Sequence, residues 1–319
     1  MLRRLLPLAL AAGTLIASGL ATGAAQANDK LTVLLDWFVN PDHATLVVAR
    51  DLGFFANEGL EVELIAPANP DDPPKLVAAG KAEIAISYQP QLHMQVDQGL
   101  PLRRIATLVA TPLNTLVVLA DGPVRSVADL KGRKVGFSVG GFEEALLGAM
   151  LEKHGLSLAD IELVNVNFSL SPSLIAGQVD AVIGAFRNFE LNQMDIVERP
   201  GKAFYPEEEG VPVYDELIAV TNTDLLDDPR LPRFVSALER AAQWLVNHPD
   251  EGLELFIKAY PDLDDELNRR AWADTLPRFS LSPGAMDRNR YDRFGKFLEA
   301  RELTGAPAKV TDLGMELAR

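Results

Sequence analysis

Short apolar runs alternate with helix-patterned segments from Leu31 to Glu198, and that alternation leaves few folds open to the chain. Strand–helix–strand succession gives βαβ units, which build mostly parallel sheets with helices on their faces. Leu31–Leu35, Glu61–Ile65, Glu83–Ser87 and Arg104–Val109 read as strands, with His43–Leu52, Pro73–Ala79 and Pro90–Gln98 as the helices between them. Gly53, Gly59, Gly80 and Gly99 fall where elements should stop. Another strand, Thr115–Leu119, leads through the Asp121-Gly-Pro123 turn to a second series. There Lys134–Val139, Ile161–Val166 and Asp180–Ala185 read as strands, and Phe142–His154, Pro172–Gly177 and Phe189–Glu198 as helices. Glu216–Val220 is a returning strand. From Leu231 the pattern changes to long amphipathic helices, with Phe234, Leu238, Ala241, Ala242 and Leu245 on one face. The expectation is an α/β protein of two Rossmann-like lobes with a helical C-terminal tail. Chain crossings near Leu119 and Tyr214 would divide 28–118 plus 212–319 from 119–211 and form a hinge about a cleft.

The stretch Leu31–Arg50 shows how such a cleft acquires chemistry. Its strand breaks into Asp36-Trp37-Phe38-Val39-Asn40-Pro41-Asp42. Pro41 pushes Asn40 out of the helical region, and Asp42 is a suitable N-cap for a helix from His43 onward. Ligands of open α/β sheets bind at strand carboxyl ends. An indole there supplies a stacking face, and an amide supplies a donor and an acceptor. Trp37 as core and Asn40 as a turn cap account for the same residues equally well.

The first 27 residues read as an export signal. Met1-Leu-Arg-Arg4 is a charged start, Leu5 to Leu20 an apolar core, and Ala25-Gln26-Ala27 an A-x-A site cleaved after Ala27. The periplasm is the expected compartment. With 45 acidic against 30 basic residues, the net charge of −15 is spread without long blocks of one sign. Nucleic acid is therefore disfavoured as a partner. The absence of cysteine excludes disulfides, thiolate metal sites and cysteine nucleophiles.

Three more segments can carry a site. Tyr88 follows the strand Glu83–Ser87 and offers a ring and a hydroxyl, although a packed edge tyrosine explains it as well. Gly140-Gly141-Phe142 joins strand to helix, and its bare amides suit an anion or carbonyl oxygen. Glu143 or Glu144 can favour that helix start electrostatically. Phe186 and Glu190 flank a third strand end, where Gly184 and Ala185 leave space and a carboxylate sits at a helix start. Enzyme constellations are weak. No two of the four histidines (His43, His93, His154, His248) stand at i,i+4, so a paired-histidine zinc helix is absent. His43 near Asp36 reads as structural, and Asp71-Asp72 and Asp264-Asp265 as solvated acids.

Leu34-Leu-Asp-Trp-Phe-Val-Asn-Pro-Asp-His-Ala44, Asp51-Leu-Gly-Phe-Phe-Ala-Asn-Glu-Gly-Leu60, Pro73-Pro-Lys-Leu-Val-Ala-Ala-Gly80, Gly140-Gly-Phe-Glu-Glu144 and Ala185-Phe-Arg-Asn-Phe-Glu-Leu-Asn192 together resemble the thiamine-pyrimidine family of periplasmic binding proteins. The resemblance covers nearly the whole chain after the signal. It implies a type II periplasmic-binding-protein fold, a Venus flytrap holding formylaminopyrimidine or hydroxymethylpyrimidine for thiamine salvage. Asn40 and Glu190 would bond the aminopyrimidine edge. Trp37, Tyr88 and Phe186 would enclose the ring, and Gly140, Gly141 and Phe142 would face its other end. The implied protein is a monomer, not an enzyme, with no cofactor, metal or catalytic residue; its partners are an ABC permease and its ATPase. A synthase branch of the superfamily has a histidine where His93 stands, together with a lysine upstream and a cysteine-rich segment. Ser87–Leu92 contains no lysine and the chain no cysteine. Sulfonate, taurine and nitrate binders share the architecture but need a cation, for which Arg187 is the nearest candidate.

Overall fold

The computed structural model describes residues 28–317. The signal expected over residues 1–27 lies outside them. Ten strands run in chain order: β1 (Asp29–Leu34), β2 (Leu60–Ile65), β3 (Ile84–Ser87), β4 (Leu102–Val109), β5 (Asn114–Leu119), β6 (Lys134–Phe137), β7 (Glu162–Asn165), β8 (Ala181–Phe186), β9 (Gly201–Phe204) and β10 (Leu217–Asn222). They form two five-stranded sheets, ordered β2-β1-β3-β10-β4 and β7-β6-β8-β5-β9.

Both sheets are mixed rather than mostly parallel in their pairings. β1 is parallel to β2 and β3, while β10 runs antiparallel to β3 and β4. In the second sheet β6 is parallel to β7 and β8, while β5 is antiparallel to β8 and β9. One strand per sheet is thus reversed, and in each case it is the strand that arrives from the other lobe. This moves the first crossing ahead of β5. The segment ending at 118, expected in the first lobe, includes a strand of the second sheet, because the chain passes over between Val109 and Asn114. The return falls between Phe204 and Leu217. β9 was not expected; it is a four-residue edge strand without a continuous apolar run, seated where Gly201 lets Val117 and Met194 approach.

The tail builds onto the first lobe. Phe234, Leu238, Ala241, Ala242 and Leu245 of the helix Arg230–Asn247 are all buried, and Phe234 stacks on Phe55 at 5.2 Å between ring centroids. Among the described residues no helix is long and apolar enough to cross a membrane.

The two crossing segments are tied together. Glu216 accepts hydrogen bonds from the Leu113 and Asn114 amides (2.5 and 2.9 Å). Arg290 donates to the Ala110 carbonyl at 2.6 Å and pairs with Asp215. Thr107 donates to the other Asp215 oxygen at 2.9 Å.

Candidate functional site

The carboxyl ends of β1, β3, β6 and β8 converge on one cavity between the lobes, the position expected for an open α/β sheet. Its empty volume, with the space open to solvent included, is about 380 Å³. The first lobe supplies Asp36, Trp37, Asn40, Asp42 and Tyr88; the second supplies Val139, Glu143, Leu170, Gly184, Phe186, Phe189 and Glu190. Two sequence features dictate the first set. β1 stops at Leu34, and Pro41 starts a 3₁₀ turn over Pro41–His43. Asn40, not Asp42, is the N-cap of that turn: its Oδ1 accepts the Asp42 amide at 2.8 Å, and its Nδ2 donates to the Phe38 carbonyl at 3.1 Å. The expected assignment fails because Pro occupies the first helical position, which puts the cap one residue before it. Asp42 is thereby moved into the first turn and becomes part of the cavity wall.

A buried relay holds this face rigid. The Asn40 amide donates to His43 Nδ1 at 3.3 Å, which leaves the ring proton on Nε2 to bond Asp36 Oδ1 at 2.9 Å. Tyr88 donates its hydroxyl to Asp36 Oδ2 at 2.9 Å. Burial, with the Asp36 charge beside it, pushes the Tyr88 hydroxyl well above the ordinary phenol range, so it remains a donor. His43 is structural, as its sequence context suggested.

The second lobe places two carboxyl groups against backbone amides. Glu190 opens the helix Glu190–Ile196, and its Oε2 accepts the Phe186 amide at 2.6 Å. Burial raises it to about 8, against backbone bonds that lower it. Glu143 accepts the Ser138 amide at 2.8 Å and is also raised well above the carboxylate range by burial. It lies against Gly184, where φ is +98° and an added Cβ would fall 2.6 Å from the Glu143 Cδ. Only glycine fits there.

Of the expected site residues, Trp37, Asn40, Tyr88, Phe186 and Glu190 meet at the cavity, and Gly140, Gly141 and Phe142 are not among its lining residues. The amides of the glycine turn are already used: Gly140 donates to Asp71 of the other lobe at 2.9 Å, and Gly141 donates to Glu144. Phe142 is buried behind Tyr88, stacked at 4.8 Å. Glu143 rather than Glu144 reaches the cavity. Asp36 and Asp42 were legible as acids in a loop but not as wall residues. At the cavity mouth Phe168 packs on Trp37 and Phe38, at 4.6 and 4.4 Å between centroids.

Two other residues singled out in the sequence sit elsewhere. His93 lies in the first lobe against Tyr291 and Phe294, and burial lowers it to about 3. Arg187 is held by Glu207 through two bonds (2.6 and 3.0 Å) and stacks over Tyr205. Neither lines the cavity, and the residues that do include four carboxyl groups and no lysine, arginine or histidine.

Two mixed α/β sheets joined by paired crossings, with a cavity at their strand ends, define a periplasmic-binding-protein fold. The alkanesulfonate-binding protein of Xanthomonas axonopodis pv. citri shares it, with a TM-score of 0.71 at 16% identity, covering 90% of this chain and 99% of that one. Sequence then narrows the class: residues 40–252 match a family model described as NMT1/THI5 like, and the chain belongs to that family. A Haemophilus influenzae protein named for thiamine biosynthesis is 50% identical over 292 residues, 91% of this chain and 93% of the relative. A formylaminopyrimidine-binding protein of Halalkalibacterium halodurans is 35% identical over 234 residues, 73% of this chain and 71% of the relative. A Legionella pneumophila relative at 25% identity over 274 residues, 84% of this chain and 85% of its own length, is named 4-amino-5-hydroxymethyl-2-methylpyrimidine phosphate synthase.

Proposed function

We propose that this chain is the periplasmic substrate-binding component of an ABC importer and that it captures an aminopyrimidine thiamine precursor between its lobes. The observation that carries this reading is the composition of the cavity wall: Trp37, Tyr88, Phe186 and Phe189 with four carboxyl groups and no cation. Aromatic faces accept a flat ring, and carboxyl groups seek N–H donors. With its carboxyl held neutral up to about 8, Glu190 presents both an O–H and a C=O. That pair matches a ring nitrogen next to an exocyclic amine. Asn40 keeps one amide proton and one lone pair beyond its capping bonds. Formylaminopyrimidine and hydroxymethylpyrimidine both carry such an edge, and the family relatives named for formylaminopyrimidine and thiamine agree with it.

An anionic solute fits poorly, for bringing a sulfonate beside four carboxyl groups without a countercharge is costly. Arg187, the cation considered for that role, is spent on Glu207. A synthase reading fares no better, because His93 is enclosed by Tyr291 and Phe294. Residues 1–27, read as the export signal, supply the route to the periplasm.

A thermal-shift screen of the chain from residue 28 tests this against formylaminopyrimidine, hydroxymethylpyrimidine, thiamine, taurine and nitrate. A ligand at 100 times its Kd adds about 2.7 kcal/mol to native stability. The expected result is a rise of several degrees confined to the aminopyrimidines. A rise with taurine or nitrate alone sinks the proposal.

A further inference from the structure

Asp42 is 1% exposed, and one of its oxygens is engaged: Oδ1 accepts from Asn188 Nδ2 at 2.6 Å and lies 3.1 Å from the Thr275 hydroxyl, whose one proton it shares with the Ala271 carbonyl. The other oxygen has no partner. Among the described residues several buried side-chain atoms lack a hydrogen bond, but Asp42 Oδ2 is the only one on a cavity-lining residue. A buried acceptor without a donor destabilises the protein that carries it, and such atoms in native folds call for a specific reason. Here the reason is supplied by position. Asp42 lines the same cavity as Glu190 from the other lobe, close enough for its charge to raise the Glu190 carboxyl further.

We propose that Asp42 is the residue that makes an exocyclic amino group obligatory, its Oδ2 taking the amine proton that Glu190 leaves free. This deepens the aminopyrimidine reading and rests on it. A primary amine on a pyrimidine has two N–H bonds in the ring plane, one beside the ring nitrogen and one on the far side. The neutral Glu190 carboxyl satisfies the ring nitrogen and the near N–H. The far N–H needs a separate acceptor, and Asp42 is a carboxyl with one uncommitted oxygen. A pyrimidine with an oxo group at the same position would set lone pair against lone pair, leaving two buried acceptors facing each other. Such a site rejects the wrong ring by leaving polar groups unpaired, which discriminates more sharply than the loss of an apolar contact.

The placement also links recognition to closure. Asp42 belongs to the first lobe and Asn188 to the second, so the bond that occupies Oδ1 forms when the lobes meet. With Asn188 and Thr275 on one oxygen, the carboxyl cannot turn away from the ligand. Closure therefore presents Oδ2 in one orientation.

The test compares 4-amino-5-hydroxymethyl-2-methylpyrimidine with its 4-oxo counterpart by titration calorimetry on the wild type, D42N and D42S. In D42N the carbonyl keeps the bond to Asn188 while an NH₂ replaces Oδ2 and opposes the amine. In D42S both carboxylate oxygens are lost and a shorter hydroxyl stands at the Cγ position, so no acceptor reaches the far N–H. The wild type is expected to prefer the amino ring by at least tenfold. D42N should bring that ratio to one or invert it, and D42S should bring it near one, with the melting point of each ligand-free variant reported alongside. If D42N does not fold, the D42S ratio decides. A wild-type preference that survives in the folded variant overturns the role of Asp42 and leaves the aminopyrimidine reading intact. Failure of the wild type to bind either ring overturns both.

Discussion

The two walls of the cavity reach the same rigidity by different means. The first-lobe wall is held mainly side chain to side chain, His43 to Asp36 and Asp36 to Tyr88, in a relay that starts from the Asn40 backbone amide. The second-lobe wall is held side chain to backbone, with Glu190 on the Phe186 amide and Glu143 on the Ser138 amide. A relay of side chains fails at its weakest member, because each partner left behind is buried and unpaired. Backbone-anchored carboxyls fail singly, since the amides stay where the sheet put them. The two walls thus differ in their anchors, with side-chain partners in the first lobe and backbone amides in the second.

Replacing Glu190 tests the second half of that contrast and should give the largest effect. E190A removes the paired donor and acceptor and is expected to weaken aminopyrimidine binding about 100-fold, roughly 3 kcal/mol, with little loss of folding. E190Q keeps a donor and an acceptor and should cost about tenfold. Equal losses in the two variants would contradict a neutral carboxyl at this position. Gly184→Ala attacks the same wall through the backbone. The Cβ meets Glu143 at a φ of +98°, so about 2–4 kcal/mol of stability should be lost in chemical denaturation. A melt like the wild type's would show that Glu143 swings aside freely.

His43→Phe breaks the relay. It leaves Asp36 with one donor fewer and is expected to cost about 1–3 kcal/mol. Combining it with Y88F should be clearly less than additive, and additivity would dissolve the relay into independent contacts.

The smallest effect is in pH. Burial raises Asp42 to about 6, Glu216 to about 7 and Glu190 to about 8. For each group the folded protein holds its proton more tightly than the unfolded chain. Stability is then fullest below the unfolded values near 4, falls as pH climbs through the folded values, and levels off above about 8. His93, lowered by burial to about 3, works the other way below about 6.5 and offsets part of the fall. The ligand-free melting point should therefore drop by a few degrees between pH 5 and 8, and E190Q should flatten the upper part of that slope. A melting point that rises over this interval would remove the buried neutral carboxyls from the account.

Much of this was legible in the sequence because strand ends are local. Trp37, Tyr88, Phe186 and Glu190 each follow a recognisable apolar run, so their convergence follows from the α/β rule alone. Asp42 was misread because two cap-capable residues flank Pro41, although the preference for proline at the first helical position separates them. Gly140 and Gly141 offered free amides on paper. Glu144, three residues on, takes the Gly141 amide, but the Gly140 amide goes to Asp71, nearly seventy positions earlier and in the other lobe, a partner no local pattern displays. The reversed strands β5 and β10 were hidden for the same reason, since strand direction in a sheet depends on where the chain has come from.

The tied crossings have a consequence for how the lobes part. With Glu216 fastened to the Leu113 and Asn114 amides and Arg290 fastened to Ala110 and Asp215, the straps between the lobes stretch little and store little elastic energy. The contacts that must part on opening lie elsewhere, in Asp71 on Gly140, Asn192 on Asp274, Asn188 on Asp42, Tyr88 on Phe142, and Phe168 on Trp37 and Phe38. Opening then breaks a small set of polar and aromatic contacts between the lobes while the crossings themselves stay fastened.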